Sequence, residues 1–258
     1  MLEQFSVDGQ TAIITGSSQG IGAVTAKRFA DDGANVVVTS RSQEKIDAVA
    51  DEINGGDADG RAIAIECDVR NRESVEALVE ATVEEFGGLD CMINNAGASF
   101  MASFDDISEN GWKTIVDINL HGTFHGAQAA GAVMKENGGG TIINLASVAG
   151  TQGSRYMPHY GAAKAAVVNF TRSLSAEYAD HDIRVNCLAP GLVATPGVAS
   201  QMGITADDID RLEVGKDIGV PEEMADILQF LASDASSYMV GETVVAKGTP
   251  RLEDSGME

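Results

Sequence analysis

Thr11-Ala12-Ile13-Ile14-Thr15-Gly16-Ser17-Ser18-Gln19-Gly20-Ile21-Gly22 decides the fold. Its first five residues are apolar or β-branched and predict a short buried strand. Gly16 to Gly22 predict a glycine-rich turn, and the apolar spacing from Gly22 to Asp32, closed by Gly33, predicts an amphipathic helix. Strand, glycine turn and helix make a cradle for a diphosphate, because glycines let the backbone approach it and the helix end offers unpaired N–H groups with a partial positive charge. A lone glycine cluster also reads as a plain turn, so the rest of the chain must support the cradle.

Outward from that segment, β-rich apolar runs recur at Asn35 to Thr39, Ala62 to Glu66, Leu89 to Ile93, Thr141 to Ala146, Ile183 to Leu188 and Thr243 to Ala246, with amphipathic stretches between them. This alternation predicts an α/β fold, a parallel sheet covered by helices on both faces. Gly55–Gly60 and Gly138–Gly140 are turns between elements, and no linker or repeat divides the chain, so one domain spans residues 1–258. Ligands of such sheets bind beyond the carboxyl ends of the strands.

At those ends stands a second constellation. Tyr160 and Lys164 lie four residues apart in Tyr160-Gly161-Ala162-Ala163-Lys164 and share a helix face, with Ser147 and Asn119 upstream. Two hydroxyls and an ammonium are the parts needed to move a proton at a carbonyl oxygen. Free tyrosine titrates near ~10, so work near neutrality asks for about 4 kcal/mol. An ammonium at ~4 Å in an effective dielectric of ~20 supplies roughly that. The plain alternative is a solvated lysine one turn below a half-buried tyrosine.

The order Thr15-Gly16-x-x-x-Gly20-x-Gly22, Cys67-Asp68-Val69, Asn94-Asn95-Ala96-Gly97, Asn119, Ser147, Tyr160 with Lys164, and Pro190-Gly191 with Thr195 resembles the short-chain dehydrogenase/reductase family along nearly the whole chain. The resemblance is to its 3-oxoacyl reductase-like group. It implies a doubly wound Rossmann sheet of about seven strands, with a substrate loop near residues 190–215. It also implies a hydride exchanged between a nicotinamide cofactor and a ketone or secondary alcohol, a 3-oxoacyl thioester being one candidate. Under it, Tyr160 is the general acid or base and Ser147 holds the substrate oxygen. Lys164 binds the nicotinamide ribose and keeps Tyr160 acidic, while Asn119 anchors a water. The cofactor would lie on Gly16, Ser18, Gln19, Gly20, Ile21 and Gly22. Asp68 and Val69 would meet adenine; Asn94, Asn95, Ala96 and Gly97 would line the centre. Tyr160, Lys164, Pro190, Gly191, Val193 and Thr195 would stand around the nicotinamide end.

Cofactor choice is read after the second strand, at Thr39-Ser40-Arg41. No carboxylate is there to accept the adenosine ribose, and the Arg41 guanidinium with the Ser40 hydroxyl suits a phosphate. NADP is expected, with NAD as the alternative. Reductases of the group that act on acyl carrier protein carry basic residues where this chain has His125 and Ala176, which argues against that partner. A sugar dehydrogenase and a cofactor-binding regulator are the competing functions. Within Leu192 to Val214 the sequence offers both polar Gln201, Thr205 and Asp207 and apolar Val198, Met202 and Ile204.

The formal net charge is −22, from 17 basic and 39 acidic residues, spread over the chain. Such a surface repels nucleic acid and anionic membranes, leaving a small molecule as partner. With lysine scarce, it suits a salt-rich interior where screening masks self-repulsion. No apolar run approaches the ~18 residues of a membrane span, and the N-terminus does not read as a signal peptide, so a soluble protein is expected. Cys67, Cys91 and Cys187 have no metal spacing and read as buried thiols in a reducing cytoplasm. His121 and His125 are four apart but lack a third ligand, so no metal is expected. His159 should face away from the site, and Trp112, Phe124 and Phe170 should pack in the core or an interface. The family habit of pairing helices implies a homotetramer, with the tail from Lys247 to Glu258 departing from the usual family ending.

Overall fold

The computed structural model describes residues 2–249. Strand β1 (Thr11–Thr15) is buried throughout and leads through the glycine turn into α1 (Gly20–Asp31). The helix starts two residues before its apolar spacing indicates, since that spacing marks only the turns that pack. There follow β2 (Asn35–Thr39), α2 (Gln43–Asn54), β3 (Ala62–Ala64), α3 (Arg72–Phe86), β4 (Cys91–Asn94), α4 (Glu109–Val116), α5 (Gly122–Asn137) and β5 (Gly140–Leu145). The remaining elements are α6 (Val148–Gln152), α7 (Pro158–Tyr178), β6 (Ile183–Pro190), β7 (Leu192–Val193), α8 (Pro196–Met202), β8 (Ile218–Gly219), α9 (Pro221–Ala232) and β9 (Thr243–Ala246).

Seven strands form one parallel sheet in the order β3-β2-β1-β4-β5-β6-β9, and β7 pairs with β8 in a separate parallel ribbon. The ribbon is absent from the sequence reading, because two-residue strands leave no periodicity. Successive side chains of β1 enter opposite layers: Ile14 joins Phe29, Val36, Val38, Ile46 and Leu228, while Ile13 joins Val37, Leu78, Met92, Met134 and Ile142. This two-sided burial is why the strands read as continuous apolar runs. β3 ends at Ala64, before the expected Glu66, although Ile65 N–H and Cys67 N–H still donate to Val38 O and Ser40 O at 3.0 Å.

The strand order reverses between β1 and β4, which both pair along the sheet centre and open a crevice at their carboxyl ends. Gly16 makes that crevice passable: it has φ +68°, and a Cβ there would stand 2.8 Å from Ala96 Cα in the loop after β4. The Thr15 hydroxyl ties the two loops together, accepting from Asn95 N–H and Ala96 N–H at 3.0 Å each.

Candidate active site

A cleft of about 890 Å³ runs along the carboxyl ends of the strands. The end of β1 supplies Gly16, Ser18, Gln19, Gly20 and Ile21, and the ends of β2 and β3 supply Ser40, Arg41, Asp68 and Val69. Asn95, Ala96 and Gly97 follow β4, and Ser147 follows β5. Tyr160 and Lys164 come from α7, while Pro190, Gly191, Val193 and Thr195 come from the end of β6 onward. Gly22 and Asn119, both expected at the site, are not on its wall. Gly22 is buried inside the first turn of α1, and Asn119 lies fully buried behind Gly97.

Asn94 overturns its expectation of lining the cofactor. It is the last residue of β4, is only 3% exposed, and donates to Asn144 Oδ1 at 2.9 Å. Side chains alternate along a strand, so Asn94 turns toward α5 while Asn95 turns to the glycine turn and donates to Thr15 O at 2.7 Å.

The residues present fit a dinucleotide. The first turn of α1 points its N–H groups into the crevice, and Arg41 is exposed with no salt bridge among the described residues. Arg70, not foreseen from the sequence, also lines this end and holds Asp68 through three contacts from its guanidinium, Nε to Oδ1 at 2.9 Å among them. That pairing with Arg70 keeps the Asp68 carboxyl below its ordinary value, and Arg41 adds to it at longer range. Both carboxylate oxygens, expected on adenine, therefore already face a guanidinium.

At the other end Ser147 caps α6, accepting from Ala149 N–H at 3.2 Å. Burial pushes the Tyr160 hydroxyl up, and a hydrogen bond with Ser147 opposes it. Lys164 is 3% exposed, and burial lowers its ammonium to about 8. Its Nζ donates to Leu145 O at 2.7 Å and lies 5.7 Å from the centre of the Tyr160 ring. Burial acts against both charged forms, and the lysine is committed to a carbonyl of β5.

Asn119 sits in a π-helical turn, Asp117–His121, between α4 and α5. Its amide donates to Ala98 O and Ile115 O, both at 2.8 Å, while its Oδ1 is buried without a hydrogen-bond partner. Gly97 packs against both that oxygen and Lys164: a Cβ there would be 2.9 Å from Asn119 Oδ1 and 3.6 Å from Lys164 Nζ.

His121 pairs with Asp117 at 2.9 Å and the His125 ring meets Val69 O at 2.9 Å, so the two imidazoles serve different partners. Among the described residues no group of three or more His, Cys, Asp or Glu is placed to hold a metal. His159 is fully buried, its ring 4.2 Å from that of Phe100. Trp112 is 37% exposed on α4, so it does not belong to the core of the chain. All three cysteines are buried and free.

The family model for short chain dehydrogenase matches residues 10–203 of this sequence, three-quarters of its length. The chain is a short-chain dehydrogenase. Within the family it is 40% identical over 245 residues to the short-chain reductase protein NovJ of Streptomyces niveus, covering 92% of each chain. It is 33% identical over 244 residues to the 3-oxoacyl-[acyl-carrier-protein] reductase FabG of Thermotoga maritima, covering 94% of this chain and 98% of that one. A solved structure from Beutenbergia cavernae, assigned provisionally as an NAD(P)-dependent gluconate 5-dehydrogenase and holding NADP at low occupancy, matches with TM-score 0.85. Its identity is 33%, over 95% of this chain and 98% of that one. This short-chain dehydrogenase is therefore a cofactor-dependent oxidoreductase built on a seven-stranded Rossmann-type sheet. No helix among the described residues is long and apolar enough to cross a membrane.

Proposed function

We propose that this chain is an NADP(H)-preferring carbonyl reductase or alcohol dehydrogenase, one domain over residues 1–258 with a substrate loop near 190–215. The observation that carries this reading is that Ser147, Tyr160 and buried Lys164 line the same cleft as the glycine turn. A bound nicotinamide cofactor supplies or accepts the hydride. Tyr160, kept protonated by burial, gives its proton to the oxygen of a ketone being reduced, and Ser147 holds that oxygen by a hydrogen bond. Lys164, titrating at about 8, is suited to restoring the proton, with the unpartnered Asn119 Oδ1 beside Gly97 as acceptor.

NADP over NAD rests on the uncommitted Arg41 at the end of β2 and on the absence of a carboxylate at Thr39-Ser40-Arg41. The NADP in the Beutenbergia structure agrees with it. A 3-oxoacyl thioester remains a candidate by likeness to the Thermotoga reductase, but His125, where carrier-protein reductases are basic, is bound to Val69 O. The acidic surface supports a salt-rich cytoplasm as the setting, and the pairing usual among family members, through the helices holding Asn119 and Tyr160, supports a homotetramer. Tyr160→Phe tests the reaction: turnover of ketones with NADPH should fall at least about 10²-fold with cofactor affinity kept. A variant that retains most of the wild-type rate overturns the mechanism.

A further inference from the structure

Beyond Ser147 and Tyr160 the cleft continues between the loop after β4, the loop joining α6 to α7, and β7 with α8. Its wall there carries Phe100, Met101, Met157, Leu192, Val198 and Met202. Four of these are strongly exposed for their type: Phe100 37%, Met101 64%, Leu192 40% and Met202 51%. On a chain of net charge −22, large apolar side chains gathered at one mouth mark a surface that something covers. The loops after β4 and between α6 and α7 also bring the small hydroxyls of Ser99 and Ser154 to this wall, whereas Thr205 and Asp207 are not on it. The Thr205 hydroxyl is tied to the Asp208 carboxylate at 2.8 Å, and the Gln201 side chain lies outside the described residues.

Charge is distributed as unevenly as polarity. Of the charged side chains on the wall, Arg41, Asp68 and Arg70 stand at the ends of β2 and β3, and among the described residues only buried Lys164 stands at the β5–β6 end. A carboxylate or phosphate on the substrate would there lose water and meet no cation but Lys164, which is buried and already donates to Leu145 O, and a polyol would turn most of its hydroxyls against thioethers and a phenyl ring. The wall is backed as well as apolar. Phe100 packs on the buried, unpaired His159 ring, and Ala102 N–H donates to Tyr156 O at 3.0 Å, joining two of the three segments. Three methionines give the mouth unbranched, polarisable side chains that adapt to differing ring shapes.

We propose that the substrate is an uncharged ketone, or the matching secondary alcohol, whose body is a bulky apolar ring system seated on Phe100, Met101, Met157, Leu192, Val198 and Met202; this rests on the reading of the cleft as a hydride-transfer site. The test gives the wild-type enzyme and NADPH or NADH a series of uncharged cyclic ketones of growing ring size, a matched ketone carrying a carboxylate, and a ketose. In parallel, Tyr160→Phe loaded with NADP is titrated calorimetrically with the corresponding alcohols. We expect kcat/KM to climb up to about fourfold per added methylene, the carboxylate analogue to be at least about a hundredfold poorer, and Leu192→Arg to narrow that gap. Alcohol affinity for the Tyr160→Phe complex should rise with ring size, with a negative heat-capacity change. Turnover that favours the ketose or carboxylate overturns the substrate class and leaves hydride transfer standing. Size-dependent alcohol binding with no turnover of any ketone by wild type supports the apolar ligand and overturns the reaction. Binding indifferent to ring size overturns the substrate class.

Discussion

Arg41 and Lys164 are the residues at which single side chains carry the most readable consequences. If Arg41 meets the 2'-phosphate of the cofactor, Arg41→Ala removes a charge-assisted hydrogen bond of about 1.5–3 kcal/mol, a loss of roughly ten- to hundredfold in NADP(H) affinity with NAD(H) affinity nearly unchanged. Titration of both cofactors at low and high salt checks this, since salt weakens an exposed contact; equal losses would make Arg41 a solvated turn residue. Lys164 gives a pH signature. Its ammonium titrates at about 8 in the fold against an ordinary 10.5, so between those values the unfolded chain holds a proton that the folded chain has shed. Stability contributed by this group therefore rises with pH across that window, by up to roughly 3 kcal/mol, and is least below pH 8. Lys164→Met lacks the effect. Denaturation of both proteins from pH 7 to 10.5 should show wild type gaining on the variant above pH 8, and a flat difference would mean the lysine stays charged in the fold. Residue identity alone suggested an ammonium close to the tyrosine; burial and the Leu145 carbonyl, both products of the fold, set its actual state.

At the scale of elements, α9 depends on a residue from another part of the chain. The Arg184 side chain, from β6, donates through Nη2 to Leu231 O and Ser233 O, each at 3.1 Å, and through Nη1 to Ser236 Oγ at 2.8 Å. A guanidinium at a helix C-terminus satisfies carbonyls that have no partner within the helix and meets the negative end of its dipole. Arg184→Met should cost about 3 kcal/mol and lower Tm by roughly 6–12 °C, with Arg184→Lys in between because it keeps the charge and loses the fork. Thermal unfolding of both variants checks this, and a methionine variant as stable as wild type would remove the capping role. The strand holding Arg184 was legible as an apolar run, but its partner helix end was not, because they lie some forty-odd positions apart and meet only through the sheet. The π turn at Asp117–His121 was legible only as a kink at Asn119, since its extra residue per turn leaves no mark in the local spacing.

On the scale of the whole molecule, the excess of 39 acidic over 17 basic residues should make stability and assembly depend on salt. Self-repulsion of exposed carboxylates is screened within about 8 Å at physiological ionic strength and about 3 Å at 1 M. Light scattering in molar KCl should give four copies, and Tm should rise as salt is raised; a monomer at high salt would overturn the tetramer, and a salt-independent Tm the halophilic reading. By itself the sequence determined the parallel α/β sheet, the glycine turn after β1 and the helical spacing of Tyr160 and Lys164, because each rests on local periodicity or on short spacing within a turn or helix, while Ser147 entered through the family resemblance. Tertiary structure alone decided what lies between distant segments. It turned Asn94 into the sheet's interior and Asn95 toward the glycine turn, and it brought Arg70 onto Asp68. It also gathered Phe100, Met157, Leu192 and Met202 at one mouth of the cleft. Those outcomes follow from strand order and side-chain alternation, which fix which loops meet at the carboxyl edge, and no window of sequence contains that geometry.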